Sequence, residues 1–359
     1  MSGGVDSSAA ALLLKEQGYD VVGVSMQVWD YRKNGGSASR ATCCAPSDFD
    51  DARQIAENCD FPYYVFDFEQ SFRESVIEPF INSYLEGRTP NPCLNCNRKV
   101  KFRQLRQRAL ALESKWVATG HFAQIKQLKD ESLGLFTSVD GDKDQTYFLY
   151  SMTQDDLKTT LFPVGGMKKP EVRQLLKSRG FEIASKEESQ DICFVSSSVS
   201  KFIEQQRGVQ PSGLIVDTKG EELGTHSGIH QYTVGQRKGL GISSRDPLYV
   251  LNINSETTEV TVGPKQQLER STFFVQDMNW ISGVVPQKPI EAIVKVRYRH
   301  PGIRCLITPI PAEQADGVKC QFDFLDDWTA VSPGQAAVCY ALETDTDGCT
   351  QVLGGGVIC

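Results

Sequence analysis

Met1-Ser2-Gly3-Gly4-Val5-Asp6-Ser7-Ser8 runs straight into an apolar stretch, Ala9 to Leu14, that precedes Gly18. The small residues form a turn and the apolar run reads as the start of a helix. Gly3 and Gly4 let the backbone bend with its N–H groups turned inward. Ser2, Ser7 and Ser8 add hydroxyl donors, and the helix N-terminus adds its partial positive charge. Together these make a cradle for a phosphate group. No Lys follows the glycines, and no G-x-x-x-x-G-K-[ST] run occurs in the chain, so this is not a Walker loop. A loop of this type follows a buried strand, yet only Met1 precedes Ser2. The reading therefore expects one inner strand of the central sheet to be missing.

Outward from the loop, strand-type and helix-type runs alternate as far as about Arg207. Asp20–Val28 reads as a buried strand. Ser47–Cys59 reads as a helix with Ser47 as N-cap and Asp50 three residues on. Tyr63–Phe66 is strand-like, Phe72–Leu85 and Val100–Leu112 helical, and Trp116–Thr119 strand-like again. Such alternation implies βαβ units on a parallel sheet, with ligands beyond the carboxyl ends of the strands. From 208 to 270 the chain is rich in Gly, Thr and short extended runs, which predicts a small mixed or β-rich domain. From 271 to 359 it alternates with period two, as in Ile293–Tyr298 and Ala336–Tyr340, which predicts an antiparallel barrel. No internal repeat or low-complexity tract interrupts this plan.

Bulk composition limits the class. The 359 residues carry a net charge of −7, which speaks against a generally basic nucleic-acid coat while leaving room for a local basic face. No apolar run approaches the ~20 residues of a membrane span, and no signal peptide is visible. Eleven cysteines without regular spacing argue against a secreted disulfide scaffold and for a reducing compartment.

Chemistry concentrates in four further places. Thr89-Pro90-Asn91-Pro92-Cys93-Leu94-Asn95-Cys96 sets two thiols in a C-x-x-C spacing just before the helical run. A helix N-terminus with Arg98 and Lys99 alongside favours a thiolate at Cys96. The other reading of this spacing is half of a zinc site, which needs a second pair that the chain lacks. Arg98, Lys99, Lys101, Arg103, Arg106 and Arg108 follow with no acid among them, as either a solvated helix face or a phosphate-backbone contact. Cys193, in Glu188-Ser189-Gln190-Asp191-Ile192-Cys193-Phe194-Val195, sits at a polar-to-apolar junction; read alone, it is a small buried hydrophobe. Gly120-His121 at a strand end and Asp142-Lys143-Asp144-Gln145-Thr146-Tyr147 occupy positions where an α/β enzyme places ligand groups.

Taken together, these stretches are familiar. The S-G-G-x-D-S pattern resembles the pyrophosphate loop of enzymes that split ATP into AMP and pyrophosphate. Along essentially its whole length the chain resembles the tRNA-specific 2-thiouridylases, the MnmA family. The matching segments are SGGVDSS, Met26, TPNPCLNCNRKVKF, GHFAQI, GDKDQTYFLY, KKPEVRQLL, ESQDICFV, GIHQYTVGQRKGLGI, VKVRYRH and SPGQAAV, in that order. The resemblance implies an α/β fold: a Rossmann-like ATP-pyrophosphatase domain over 1–207, a small central domain over 208–270 and a C-terminal antiparallel β-barrel over 271–359.

It also implies a chemistry. ATP with Mg2+ would adenylate the C2 oxygen of the wobble uridine, held by Ser2, Gly3, Gly4, Val5, Asp6, Ser7 and Ser8, with Met26 and Gly120 lining the adenosine pocket. Cys193 would carry a persulfide sulfur from a relay protein or a cysteine desulfurase. Cys96 would resolve it through a Cys96–Cys193 disulfide. Asn91, Pro92 and Cys93 match positions that touch the target base. His121, Lys143, Asp144, Gln145, Tyr298, Arg299 and Gln335 match tRNA-contacting positions. The resemblance further implies a cytoplasmic, monomeric enzyme, or an organellar one if a targeting segment is missing from the N-terminus.

One departure stands out. Well-known members of the family carry an Asp where this chain has Cys93. Cys93, Cys96 and Cys193 are therefore an alternative three-thiol ligand set for an iron–sulfur cluster that would deliver sulfide. A synthetase acting on a small metabolite would share the loop but has no use for paired thiols and an Arg-rich helix. A non-catalytic RNA-binding protein would keep the helix and barrel but not the loop.

Overall fold

The computed structural model describes residues 1–29, 46–187, 192–195, 197–311, 318–326 and 328–359. Glu188 to Asp191, half of the segment around Cys193, lie outside them. Helix α1, Val5–Glu16, follows the loop directly and closes at Gln17 and Gly18, whose φ of +84° suits a residue without a side chain. Its apolar positions are buried almost all round, with Ala9 fully so, which marks an interior helix. β1, Gly23–Gln27, pairs in parallel with β2, Tyr63–Asp67, across helix α2, Pro46–Asn58. α2 begins at Pro46, so Ser47 lies inside the first turn rather than capping it. Proline fits there because its missing N–H has no helical acceptor to lose.

Two long helical stretches, 69–85 and 92–111, widen in their middles to hydrogen bonds five residues apart, as in Glu78 N to Arg73 O and Leu105 N to Val100 O. The second starts well before the expected Val100, because Pro92 opens it and the Asn91 side chain accepts from Cys93 N at 3.1 Å. Cys93 and Cys96 thus sit in the first turns of this helix instead of before it.

β3, Val117–Ala118, pairs in parallel with β6, Thr160–Leu161, while β4, Ala123–Gln127, and β5, Leu133–Thr137, form an antiparallel hairpin. Among the described residues no strand joins the β1–β2 pair to the β3–β6 pair. In the central domain β7, Gly213–Val216, β8, Glu222–His226, β9, Tyr249–Asn254, and β10, Glu259–Gly263, make a mixed sheet in the order β8-β7-β10-β9.

The last part is a closed antiparallel barrel. β11, Thr272–Trp280, β12, Ile290–Lys295, β13, Ile303–Pro309, β14, Val318–Phe324, β15, Ala336–Thr344, and β16, Thr350–Ile358, run in the order β11-β14-β13-β12-β15-β16, and β16 returns to β11. The period-two stretches are its walls, with Ala292, Val294, Cys305, Ile307, Phe322 and Cys339 filling the interior. The β4–β5 hairpin lies against this barrel, Val352 pairing with Leu135, so one sheet runs from the first domain into the last.

Candidate active site

The loop Ser2–Ser8 is a tight turn held by close backbone contacts. Gly3 holds φ at +63°, and a Cβ there would lie 2.2 Å from the backbone oxygen of Asp48. Ser7 Oγ donates to Gly4 O at 3.1 Å and accepts from Ser2 N at 3.1 Å, which closes the turn onto the helix. Gly120 arrives from the end of β3: a Cβ there would lie 2.4 Å from Asp6 C and 2.5 Å from Ser7 N. The first loop and the strand-end Gly-His therefore touch, and only glycine permits it. The Ser8 hydroxyl is fully buried and has no hydrogen-bond partner among the described residues. A buried polar group without a partner in the first turn of α1 suits a bound anion.

Charge reaches the loop from the far end of the domain. Lys169, nearly buried at the head of the helix Lys169–Ser178, places Nζ 2.6 Å from Asp6 Oδ1. Lys186 Nζ donates to Gly3 O at 2.8 Å and to Asp48 and Asp51 at 2.6 Å each. Burial pulls the Lys186 pKa down, but the hydrogen bonds that its ammonium donates to Asp48 and Asp51, with the charges of those acids, outweigh it and leave the pKa raised. Sequence reading passed over Lys169, Lys186 and Asp48. The only available signal was the absence of a cation within the loop itself.

Cys96 and Cys193 pack against one core. Phe194 is 2 % exposed and ringed by Trp29, Phe72, Phe80 and Phe202 at centroid distances of 5.3 to 6.5 Å. It anchors its neighbour Cys193, which is only half-buried. Cys96, also half-buried, packs against the same cluster, as do Met26 and Phe49. Cys93 is exposed on the same helix. Among the described residues no group of three Cys, His, Asp or Glu side chains that could hold a single metal ion is found.

Asn97, beside Cys96, is buried and donates from Nδ2 to Phe148 O at 3.1 Å, while its Oδ1 has no partner among the described residues. It is a further polar group at the thiols that sequence reading did not single out.

The segment leading to the thiols is gripped by all three domains. Thr89 N donates to Pro333 O at 2.8 Å in the barrel, and Gln335 Nε2 donates to Thr89 O at 2.7 Å. Thr89 Oγ1 bonds Thr233 Oγ1 of the central domain at 3.0 Å. Asn91 spends its side chain as the cap described above, and Pro92 is buried.

The remaining residues matched to tRNA contacts fall into two groups. His121, Asp144 and Gln145 are built into the framework. His121 is buried between Thr119 Oγ1, 2.8 Å from Nδ1, and Lys101, 3.5 Å from Nε2; burial first, and then the Lys101 charge, hold its pKa well below 6.5. Asp144 accepts from Thr146 Oγ1 at 2.7 Å and Ser138 N at 3.2 Å, with its pKa raised by burial. Gln145 Oε1 takes the Phe122 N–H at 2.9 Å. Lys143 is half-buried and Arg299 exposed, while the Tyr298 ring lies 4.5 Å from that of Phe148. Of the basic run, Lys101 turns inward to His121 and Arg106 reaches the Lys115 carbonyl, whereas Arg98, Arg103 and Arg108 are exposed.

Comparison with known proteins gives three consecutive family matches. Residues 1–197 match the family described as tRNA methyl transferase HUP domain, 200–264 the tRNA methyl transferase PRC-barrel domain, and 270–358 the aminomethyltransferase β-barrel domain. The chain is 48% identical over 362 aligned positions to the tRNA-specific 2-thiouridylase MnmA of Geotalea uraniireducens, covering all of this chain and 93% of that one. It is 44% identical to the protein of the same name from Geobacter metallireducens, covering all of this chain and 95% of that one. With the Lachnoclostridium phytofermentans protein of that name the identity is 43%, over all of this chain and 98% of the other.

Proposed function

The chain belongs to the tRNA-specific 2-thiouridylase family, whose reaction is the 2-thiolation of tRNA, and on that premise we propose how its own residues carry it out. The substrate uridine is the wobble position of the anticodon loop, splayed out so that its C2 carbonyl enters the site. Oxide is a poor leaving group from that carbon. The loop Ser2–Ser8 therefore holds ATP so that the C2 oxygen attacks the α-phosphorus and pyrophosphate departs. Lys169 and Lys186 supply the positive charge that the loop lacks, and Asp6 offers a carboxylate to the magnesium ion that travels with ATP. Met26 and Gly120 border the adenosine.

Sulfur arrives as a persulfide on Cys193, passed on by a donor thiol protein. Its terminal sulfur attacks the activated C2 and AMP leaves with the original oxygen. Cys96 thiolate then attacks Cys193 Sγ. The bond between the two persulfide sulfurs breaks, the electron pair stays with the sulfur on the base, and a Cys96–Cys193 disulfide remains. An external thiol reduces that disulfide before the next cycle.

One observation carries this reading. Cys96 and Cys193, far apart in sequence, pack on a single core that also holds Met26 at the end of β1. Cys96→Ser and Cys193→Ser should each abolish thiouridine formation, measured by nucleoside mass spectrometry, while melting within a few degrees of the parent. Near-normal thiouridine yield from either variant overturns the assignment.

A further inference from the structure

We propose that Lys186 is a positioning residue that links filling of the phosphate loop to the setting of the two thiols, acting through the first turn of α2. Its ammonium bridges three groups: Gly3 O of the loop, and the carboxylates of Asp48 and Asp51. Between those two acids in sequence, Phe49 packs on the core shared by Cys96, Cys193 and Met26. One helical turn therefore carries both the loop's clamp and a wall of the thiol core.

The contact is stiff at both ends. The backbone of Asp48 fills the space where a Gly3 side chain would stand. The Lys186 main chain is itself pinned, its carbonyl accepting from Arg173 Nη1 at 3.0 Å. A phosphate entering the loop adds negative charge beside Gly3, where Lys186 is shared with Asp48 and Asp51. Any shift of the ammonium toward the phosphate loosens its hold on those acids and lets the Asp48–Asp51 turn, with Phe49, reset against the thiols. Packed interiors transmit such shifts because they deform little.

The inference rests on the nucleotide and thiol roles proposed above, and its test separates the two. A non-hydrolysable ATP analogue is titrated onto the full chain, and the rate of iodoacetamide labelling at Cys193 is followed by peptide mass spectrometry with and without it. In the parent, the analogue should bind and change Cys193 labelling by about fivefold or more, the lower end of ordinary coupling between sites. Lys186→Met should weaken the analogue and reduce the change in labelling to less than about twofold. Lys186→Arg should retain most of both, and Asp51→Asn should behave as a milder Lys186→Met while melting close to the parent. Analogue binding without any change of Cys193 labelling in the parent overturns the linkage alone, as does full modulation in Lys186→Met or, should that variant not fold, in Asp51→Asn. Failure of the parent to bind the analogue overturns the nucleotide role and the linkage with it.

Discussion

At the scale of single residues, Gly120 and the buried histidines give the sharpest tests. A methyl group at 120 would collide with the backbone of Asp6 and Ser7, which cannot swing away as a side chain could. Gly120→Ala should cost about 1 to 3 kcal/mol of stability and displace the loop, weakening ATP binding more than tRNA binding. Unchanged melting and nucleotide affinity would contradict that packing. His121, His226 and His300 all have pKa values lowered from 6.5, in each case chiefly by burial. Protons therefore bind the unfolded chain more readily. Stability should hold above pH 6.5 and fall as the pH drops below it, by at most about 1.4 kcal/mol per pH unit for each histidine. Denaturant titrations between pH 7.5 and 5 check this, and His121→Gln should flatten part of the fall. The turn at Gly3 and the helix it opens were legible in sequence because they lie in contiguous residues. Lys169 and Lys186 were not, since nothing local says which distant lysine folds back onto Asp6 or Gly3.

At the scale of elements, the helix 92–111 brings Cys93, Cys96 and a run of cations onto one piece of structure. Its start was misplaced by sequence reading because two prolines suggest an irregular segment, whereas Pro92 is the first helical residue and Asn91 its cap. The six cations looked equivalent in the sequence, but their partners divide them. Lys101 and Arg106 are turned to protein groups, while Arg98 and Arg103 are exposed. Arg98→Glu with Arg103→Glu should therefore lower the log–log salt slope of tRNA binding by roughly 0.7 to 0.9 for each lost phosphate contact. Changes at Lys101 and Arg106 should act on stability more than on that slope. A slope unaltered by the Arg98 and Arg103 reversals would make this face an ordinary solvated surface.

At the scale of the whole molecule, the three-part plan was readable from the switch between helical alternation and period-two strands. The pairing of the β4–β5 hairpin with β16 was not, because edge-to-edge pairing between distant strands leaves no local pattern. That continuous sheet, and the grip of Thr233, Pro333 and Gln335 on Thr89, make the thiol helix a shared product of all three domains. The central claim is that sulfur passes from Cys193 to the base and leaves a Cys96–Cys193 disulfide. It is tested most directly by a single turnover under air with iron-free protein, its Cys193 persulfide carrying heavy sulfur, together with ATP and unmodified tRNA. The account predicts heavy 2-thiouridine at the wobble position, one pyrophosphate released per thiouridine, and a Cys96–Cys193 disulfide in equal amount by peptide mass spectrometry. Thiolation that appears only after iron and sulfide are restored, or that leaves Cys96 and Cys193 reduced, would contradict it.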